Sequence, residues 1–211
     1  MAPSATLRVV GRDAELARLA GWVRALRNGQ GRALLVVGEP GIGKTVLVRQ
    51  VADRATEQGC RVLWGAGDEL ATPLLLGPLL EALADGHPGD VRHPIATRLL
   101  DGAGAAKSSD DLITAAGEQI IAAIGDAAFA EPTILVLDDL QWCDPATLAV
   151  WGRLTRLAEE LPLLLIGTLR QPPRDGHVLA VERSVPAGSR IRLGPLGQQP
   201  VTELVGARCG G

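Results

Sequence analysis

Apolar and polar positions along the chain follow two different patterns. Short runs that are apolar at nearly every position predict buried β-strands. These runs are residues 34–37, 61–64, 133–137 and 163–168, with a weaker one at 190–193. Apolar residues at intervals of three or four predict amphipathic helices. Such helices are predicted at residues 13–28, 44–58, 74–84, 108–128 and 145–160.

Strands and helices alternate along the chain, which predicts an α/β fold with a parallel sheet covered by helices on both faces. Residues 85–106 are the least regular part, with a short helix near residues 95–100, and a last helix is predicted at 198–207. With 211 residues, 46% of them hydrophobic, the chain can bury one substantial core. In such sheets a ligand lies beyond the carboxyl ends of the strands.

The first predicted strand is followed by a glycine-rich loop, residues 38–45, with the sequence G-E-P-G-I-G-K-T. This loop fits the phosphate-binding P-loop, G-x-x-x-x-G-K-[ST], in the strand–loop–helix setting that the motif needs. Glycines let main-chain N–H groups turn toward phosphate oxygens, and the following helix presents its positive end to the same anion. Lys44 can reach the β- and γ-phosphates, and the Thr45 hydroxyl can bind Mg²⁺.

The alternative to a phosphate site is a glycine-rich turn that binds no ligand. Among the 21 basic residues of the chain only Lys44 and Lys107 are lysines, and the others are arginines. The loop therefore carries a compact ammonium at position 44, although the chain otherwise almost always uses the wider guanidinium. That choice favours a phosphate ligand. The predicted binding residues are the loop and the start of its helix: Gly38, Glu39, Pro40, Gly41, Ile42, Gly43, Lys44, Thr45 and Val46.

Two acids, Asp138 and Asp139, follow the five apolar residues of the third predicted strand. A carboxylate at a buried strand tip can bind Mg²⁺, and a second one beside it can orient or deprotonate the attacking water. We assign Asp138 to the metal and Asp139 to the water. The alternative is that both residues only begin a turn, which aspartate favours. Their position behind a P-loop in an alternating α/β chain favours the first interpretation.

Arg170 follows the fourth predicted strand, where a cation could sense the γ-phosphate or stabilise developing charge. The alternative is a surface arginine beside a Pro-Pro turn. Asp144 directly precedes a proline, and capping of the next helix explains it. The three histidines are scattered in loop-like sequence and form no catalytic triad or zinc set.

The overall composition narrows the classes of partner. A net charge of −3, with four Trp, one Phe and no Tyr, gives no support for attraction to nucleic acid or for base stacking. Three cysteines without metal-ligand spacing favour a reducing compartment. Neither a signal peptide nor a long apolar run is recognised, so we expect no membrane association and a cytoplasmic location.

Six separated segments carry a common pattern. They are residues 9–16 (V-V-G-R-D-A-E-L), 38–45 (Walker A), 68–80 (after strand two), 135–148 (Walker B, with D-D-L-Q-W), 168–170 (T-L-R) and 193–196 (L-G-P-L). Together they resemble the ATPase domain of large actinobacterial regulators, the AAA-like STAND ATPases that are often joined to a LuxR-type DNA-binding domain. The Walker B segment with its Gln-Trp is the most specific part of the resemblance.

The resemblance implies a P-loop NTPase three-layer sandwich of the additional-strand, AAA-like type, with a parallel five-stranded sheet in the order 5-1-4-3-2. It implies main-chain contacts to adenine near Val10 and Gly11, with Arg12 nearby, and a γ-phosphate sensor at Arg170. Its cofactors are ATP and Mg²⁺. The expected function is that of a domain that binds ATP and hydrolyses it slowly. Hydrolysis would act as a switch, because ATP and ADP favour different packings of the protein.

The same resemblance divides the chain into an ATPase core, residues 1–196, and the truncated start of a helical lid, residues 197–211. The DNA-reading element of the family lies in later domains, so we expect no direct nucleic-acid binding by this chain. Leu193, Leu196 and Leu204 are expected to leave an apolar surface where a lid packs. This surface would be open to a protein partner or to self-association.

Two other functions stay open. A domain without its lid can hold nucleotide, or act as an assembly surface, without turnover. A metabolic kinase would need an acceptor pocket and a mobile lid loop, and the sequence carries no acceptor signature.

Overall fold

The structure is a computed structural model that describes residues 10–70, 75–84, 109–170 and 176–196. The predicted helices near 95–100 and at 198–207 lie outside the described residues, as does the segment 197–211 that we assigned to a lid. These assignments stay predictions. The described residues contain every predicted strand and the longer predicted helices.

Five parallel strands form one sheet: β1 (Arg32–Gly38), β2 (Arg61–Ala66), β3 (Thr133–Asp138), β4 (Leu163–Leu169) and β5 (Arg190–Leu193). Their order is β2-β3-β4-β1-β5, which is the predicted order 5-1-4-3-2 seen from the other edge. That prediction is confirmed. Val37 of β1 pairs with Leu169 of β4, and Leu137 of β3 pairs with Gly167. The carboxyl ends of the three central strands therefore reach the same edge of the sheet.

The described α-helices cover both faces of this sheet: α1 (Asp13–Arg27), α2 (Lys44–Glu57), α3 (Gly77–Ala84), α4 (Ser109–Ala130), α5 (Pro145–Leu157) and α6 (Gly176–Ser184). Alternate residues of β1 enter opposite cores, because successive side chains of a strand point to opposite faces. Leu34 and Val36 pack with α1 and α2, whereas Leu35 and Val37 pack with α3, α4, α5 and α6. The result is the predicted three-layer α/β sandwich.

Some elements differ from the sequence prediction. Helix α6 lies between β4 and β5, where the pattern predicts none, and only Val178 and Val181 of this short helix are buried. Two buried positions are too few to show a helical period. A 3₁₀-helix, Leu140–Trp142, directly follows β3, and α5 ends at Leu157 rather than at residue 160.

Helix α4 is the one helix among the described residues that is long and apolar enough, by length and composition, to cross a membrane; its window 111–130 has a mean hydropathy of 1.3. Ile120 and Ile124 of this helix are fully buried in the core beneath the sheet. On its outer surface Glu118 forms an ion pair with Arg153 of α5, with 2.5 Å between the two nearest atoms. One face of α4 therefore packs in the core of the domain.

Candidate active site

The glycine-rich loop joins β1 to α2 and leaves main-chain donors open at the helix start. Gly41 and Gly43 have φ angles of 73° and 95°, in the left-handed region that favours glycine. No side chain caps α2, and its first main-chain hydrogen bond runs from Leu47 N to Gly43 O at 3.0 Å. The N–H groups of the first helical turn therefore have no acceptor within the helix, which suits an anionic ligand.

Lys44 begins α2 and is only 6% exposed. Its Nζ donates hydrogen bonds to the carbonyl oxygens of Gly38 and Glu39, each at 3.1 Å. Burial lowers the pKa of Lys44, while the negative charges of Asp139 and Asp138 oppose that shift and the charge of Arg170 adds to it. The ammonium in the loop thus lies within the electrostatic range of groups at the tips of β3 and β4.

Thr168 links the two acids at the end of β3. The fully buried hydroxyl of Thr168 donates to Asp138 Oδ1 at 2.5 Å and accepts the main-chain N–H of Asp139 at 2.8 Å. Strand β4 lies between β3, which carries the acids, and β1, which leads into the loop. Thr168 of β4 therefore holds the acidic end of β3 on the side that faces the loop. The structure therefore brings Lys44, Asp138 and Asp139 to one edge of the sheet.

Replacing Thr168 by valine is expected to lower the free energy of unfolding by about 2–4 kcal/mol, because the shape is kept while the buried Asp138 carboxylate and the partly buried N–H of Asp139 each lose a partner. Urea unfolding would measure the change. Thr133→Val is the matched control on β3, since among the described residues the fully buried Thr133 hydroxyl has one bond, 2.9 Å long, to the carbonyl of Glu131. Equal losses in the two variants would contradict a special role for Thr168.

Asp139 adopts a left-handed backbone conformation, with φ 52°, which is uncommon for a residue other than glycine. Its Oδ1 accepts a hydrogen bond from Gln141 Nε2 at 2.7 Å and lies 3.7 Å from Arg170 Nε. The Nη1 atom of Arg170 also lies 3.6 Å from Oε2 of Glu69, and its Cζ atom lies over the Trp142 ring, 5.5 Å from the ring centroid. The predicted γ-phosphate sensor thus sits beside the predicted water-orienting acid.

Sequence reasoning did not find Gln141, Glu69 or Trp142 as site residues. Glu69 follows β2 in a segment that we noted only as part of the resemblance. The Gln-Trp pair was singled out as specific, but nothing in the sequence indicated what its side chains contact. Gln141 and Trp142 contact Arg170 only because β3 and β4 pair in a register that the sequence does not reveal.

The N-terminal motif meets the end of β5. Arg12 is 6% exposed, and its guanidinium contacts Glu15 at 3.2 Å and the carbonyl of Gly194 at 2.6 Å. Gly11 has a φ of 72°, and Val10 is half-buried. The structure thus places these residues beside the exit of β5, and their contact with adenine stays a prediction.

Asp144 caps α5, as the sequence predicted. Its Oδ1 accepts the N–H of Thr147 at 3.0 Å, and its Oδ2 accepts the Thr147 hydroxyl and the N–H of Leu76 at 2.5 and 3.2 Å. The side chain is 5% exposed. Asp144 therefore holds the start of α5 and the segment before α3 together.

The oxygens at this edge fit a magnesium ion better than a softer metal. Among the described residues, no group of three or more His, Cys, Asp or Glu could hold a metal ion. The Thr45 hydroxyl and the Asp138 carboxylate are hard oxygen ligands, and Mg²⁺ usually takes only one or two protein carboxylates with phosphates and water. Burial raises the pKa of Cys143 to about 12, so its thiol is unsuited to metal binding or nucleophilic attack at neutral pH.

The sheet order, the loop between β1 and α2 and the acidic tip of β3 define a P-loop NTPase fold. The chain belongs to the AAA ATPase domain family, whose model matches residues 8–166.

Solved structures with this fold include the Aeropyrum pernix ORC1 protein in complex with DNA, with a TM-score of 0.65 and 18% identity. That match covers 99% of this chain and 52% of ORC1. AMPPCP-bound DnaA from Aquifex aeolicus has a TM-score of 0.50 and 15% identity, covering 94% of this chain and 50% of DnaA. At these identities the likeness shows the fold, and the chain spans about half the length of both proteins.

Curated relatives match over shorter fractions of their length. The DNA repair protein RadA of Chlamydia pneumoniae is 34% identical over 88 residues, which cover 37% of this chain and 19% of RadA. The uncharacterized protein R02095 of Rhizobium meliloti (strain 1021) is 24% identical over 189 residues, which cover 77% of this chain and 18% of that protein. The chain therefore spans less than a fifth of these relatives.

Proposed function

We propose that this domain binds Mg–ATP and hydrolyses it slowly, as the switch domain of a STAND/LuxR-type signalling or transcriptional regulator. One observation carries the proposal. Lys44, buried in the P-loop after β1, lies at the same edge of the sheet as Asp138 and Asp139 at the end of β3, and Thr168 of the intervening strand β4 holds both acids there. A buried lysine in a glycine-rich loop beside a strand-tip carboxylate is the arrangement that binds a triphosphate with Mg²⁺ in P-loop proteins.

The roles follow from the positions of the residues. The N–H groups of the loop and of the first turn of α2 bind the phosphates, and Lys44 bridges the β- and γ-phosphates in place of the carbonyls that it holds here. Thr45 and Asp138 would hold Mg²⁺, which neutralises phosphate charge when bound. Val10, Gly11 and Arg12 would lie by the adenine.

Asp139 and Arg170 would act on the reacting groups. A water oxygen bonds to the γ-phosphorus as the bond to the β,γ-bridging oxygen breaks, and ADP leaves with the electron pair. Asp139, whose side chain is 30% exposed, is reachable by water and takes the water proton. Arg170 turns from Glu69 toward the charge that develops on the γ-phosphoryl group.

The partner predictions belong to the same proposal. ORC1 is solved in complex with DNA, whereas we propose that this domain binds ATP and ADP and does not itself bind nucleic acid or a membrane. We place residues 197–211 at the start of a helical lid, whose surface would take a protein partner or a second copy. The sequence predicted that Leu193 belongs to an apolar surface exposed for the lid, and this was wrong. Leu193 is only 6% exposed and packs in the core with α1 and α2. Leu204 lies outside the described residues.

Replacing Asp139 by asparagine is expected to reduce phosphate release to the level of a Lys44→Ala control, with ATP affinity kept within about threefold. The amide oxygen still accepts from Gln141, but the amide cannot take a proton. Steady-state phosphate release and calorimetric titration with ATP and ADP, with and without Mg²⁺, measure the two properties. Asp126→Asn, on the exposed face of α4, is the matched control.

A nucleotide-binding module without turnover is the second candidate. It is favoured by the contacts of Asp139 with Gln141 and Arg170, which occupy one oxygen of the proposed base. If wild-type protein binds ATP but releases no phosphate above the Lys44→Ala level, the hydrolysis proposal fails and this candidate stands. Radiolabelled ATP would reveal a kinase by transfer of label to a group other than water.

A further inference from the structure

The side-chain amide of Gln141 bridges the tips of two strands. Its Nε2 donates to Asp139 Oδ1 at 2.7 Å, and its Oε1 accepts the main-chain N–H of Arg170 at 3.1 Å. An amide turned the other way would set its NH₂ group against the N–H of Arg170 and its oxygen against the carboxylate. The two partners together therefore fix the orientation of the amide.

Asp139 needs such a partner because the strand does not orient its side chain. It is the first residue beyond β3, and its left-handed backbone ends the regular alternation of side chains. Thr168 fixes only the main-chain N–H of Asp139. With 30% of the side chain exposed, the carboxylate could rotate in water if Gln141 were absent.

Arg170 is held to the same amide through its main chain. Its side chain is free of that bond and contacts Glu69, Asp139 and the Trp142 ring. Gln141 thus fixes the point from which the arginine side chain extends, and it fixes the carboxylate beside that point. A shift at the end of β4 would change the position of both groups at once.

We propose that Gln141 is a positioning residue for ATP hydrolysis, which orients the Asp139 carboxylate and sets its distance from Arg170. The inference rests on the proposed ATPase function. Gln141 touches no reacting atom; it acts through Asp139. A group misplaced by about 1 Å can cost on the order of a hundredfold in rate, because proton transfer needs the water and the base within hydrogen-bond reach.

Two substitutions separate the two hydrogen bonds of Gln141. Gln141→Leu removes both bonds, whereas Gln141→Glu keeps an oxygen for the Arg170 N–H and loses the donor to Asp139. We expect both variants to lower kcat by about tenfold or more, with KM for ATP and affinity for ADP within about threefold. Gln119→Leu, on the exposed face of α4, is the matched control and should keep the wild-type kcat.

The outcomes distinguish a positioning role from a merely structural one. If Gln141→Glu recovers the wild-type kcat, the bond to Arg170 alone matters and the inference is overturned. It is also overturned if Gln141→Leu keeps the wild-type kcat, or if KM for ATP rises while ADP affinity and Tm fall together with kcat. Failure of the proposed function has a different signature, because wild-type protein would then show no phosphate release above the Lys44→Ala control.

Discussion

Replacing Lys44 by alanine is expected to weaken ATP binding by about a hundredfold or more and to abolish phosphate release, because the loop loses its only side-chain cation for the phosphates. The ammonium is buried and bonded to the carbonyls of Gly38 and Glu39, so its removal leaves the loop itself without a positively charged side chain. Stability should change little or increase, because burial of this ammonium is costly, as its lowered pKa indicates.

Calorimetric titration with ATP and urea unfolding would measure the two effects of this change. Arg54→Ala is the matched control, because it removes one positive charge from the exposed last turn of the same helix. Lys44→Arg tests geometry, since the planar guanidinium is wider than the ammonium and should also bind ATP poorly. Wild-type ATP affinity in Lys44→Ala would show that the loop is a turn and not a phosphate site.

Replacing Asp144 by alanine is expected to lower the free energy of unfolding by about 2–4 kcal/mol, which combines the loss of a helix cap with an unpaired buried N–H. The carboxylate accepts three hydrogen bonds, two from Thr147 and one from Leu76. The loss should loosen the start of α5 and the segment before α3 together. Urea unfolding by circular dichroism would measure it.

Two controls apportion the effect of Asp144. Asp144→Asn keeps an oxygen at the cap and should cost about 1 kcal/mol, since asparagine is a good N-cap residue. Thr147→Val removes only the hydroxyl bond to the carboxylate. A loss below about 1 kcal/mol in Asp144→Ala would contradict the bridging role.

The strands and most helices were predictable because their side chains are buried in regular patterns. β3 and β4 are buried at every position, and such continuous apolar runs are typical of parallel strands in a sheet that is covered on both faces. Their order came from the resemblance, since alternation alone does not fix which strands are neighbours. α6 could not be predicted, because its core contacts rest on Val178 and Val181 alone.

The candidate site was predictable where chemistry depends on local spacing, as in the loop around Lys44 and in Asp138-Asp139. The sequence does not show contacts between distant residues. Thr168 meets Asp138 across 30 positions, and Gln141 meets Arg170 across 29, only because β3 and β4 pair in a particular register. The residue type gives only a weak signal for the left-handed conformation of Asp139, because aspartate adopts it more often than most residues but also favours many kinds of turn.

The contact of Arg12 with Gly194 joins the beginning of α1 to the chain that leaves β5. The Arg12 guanidinium therefore connects the N-terminal motif, which we expect to lie beside adenine, to the segment that follows β5. Because Gly194 directly follows the last residue of β5, a displacement of the chain beyond residue 194 would act on the start of α1 as well as on the sheet.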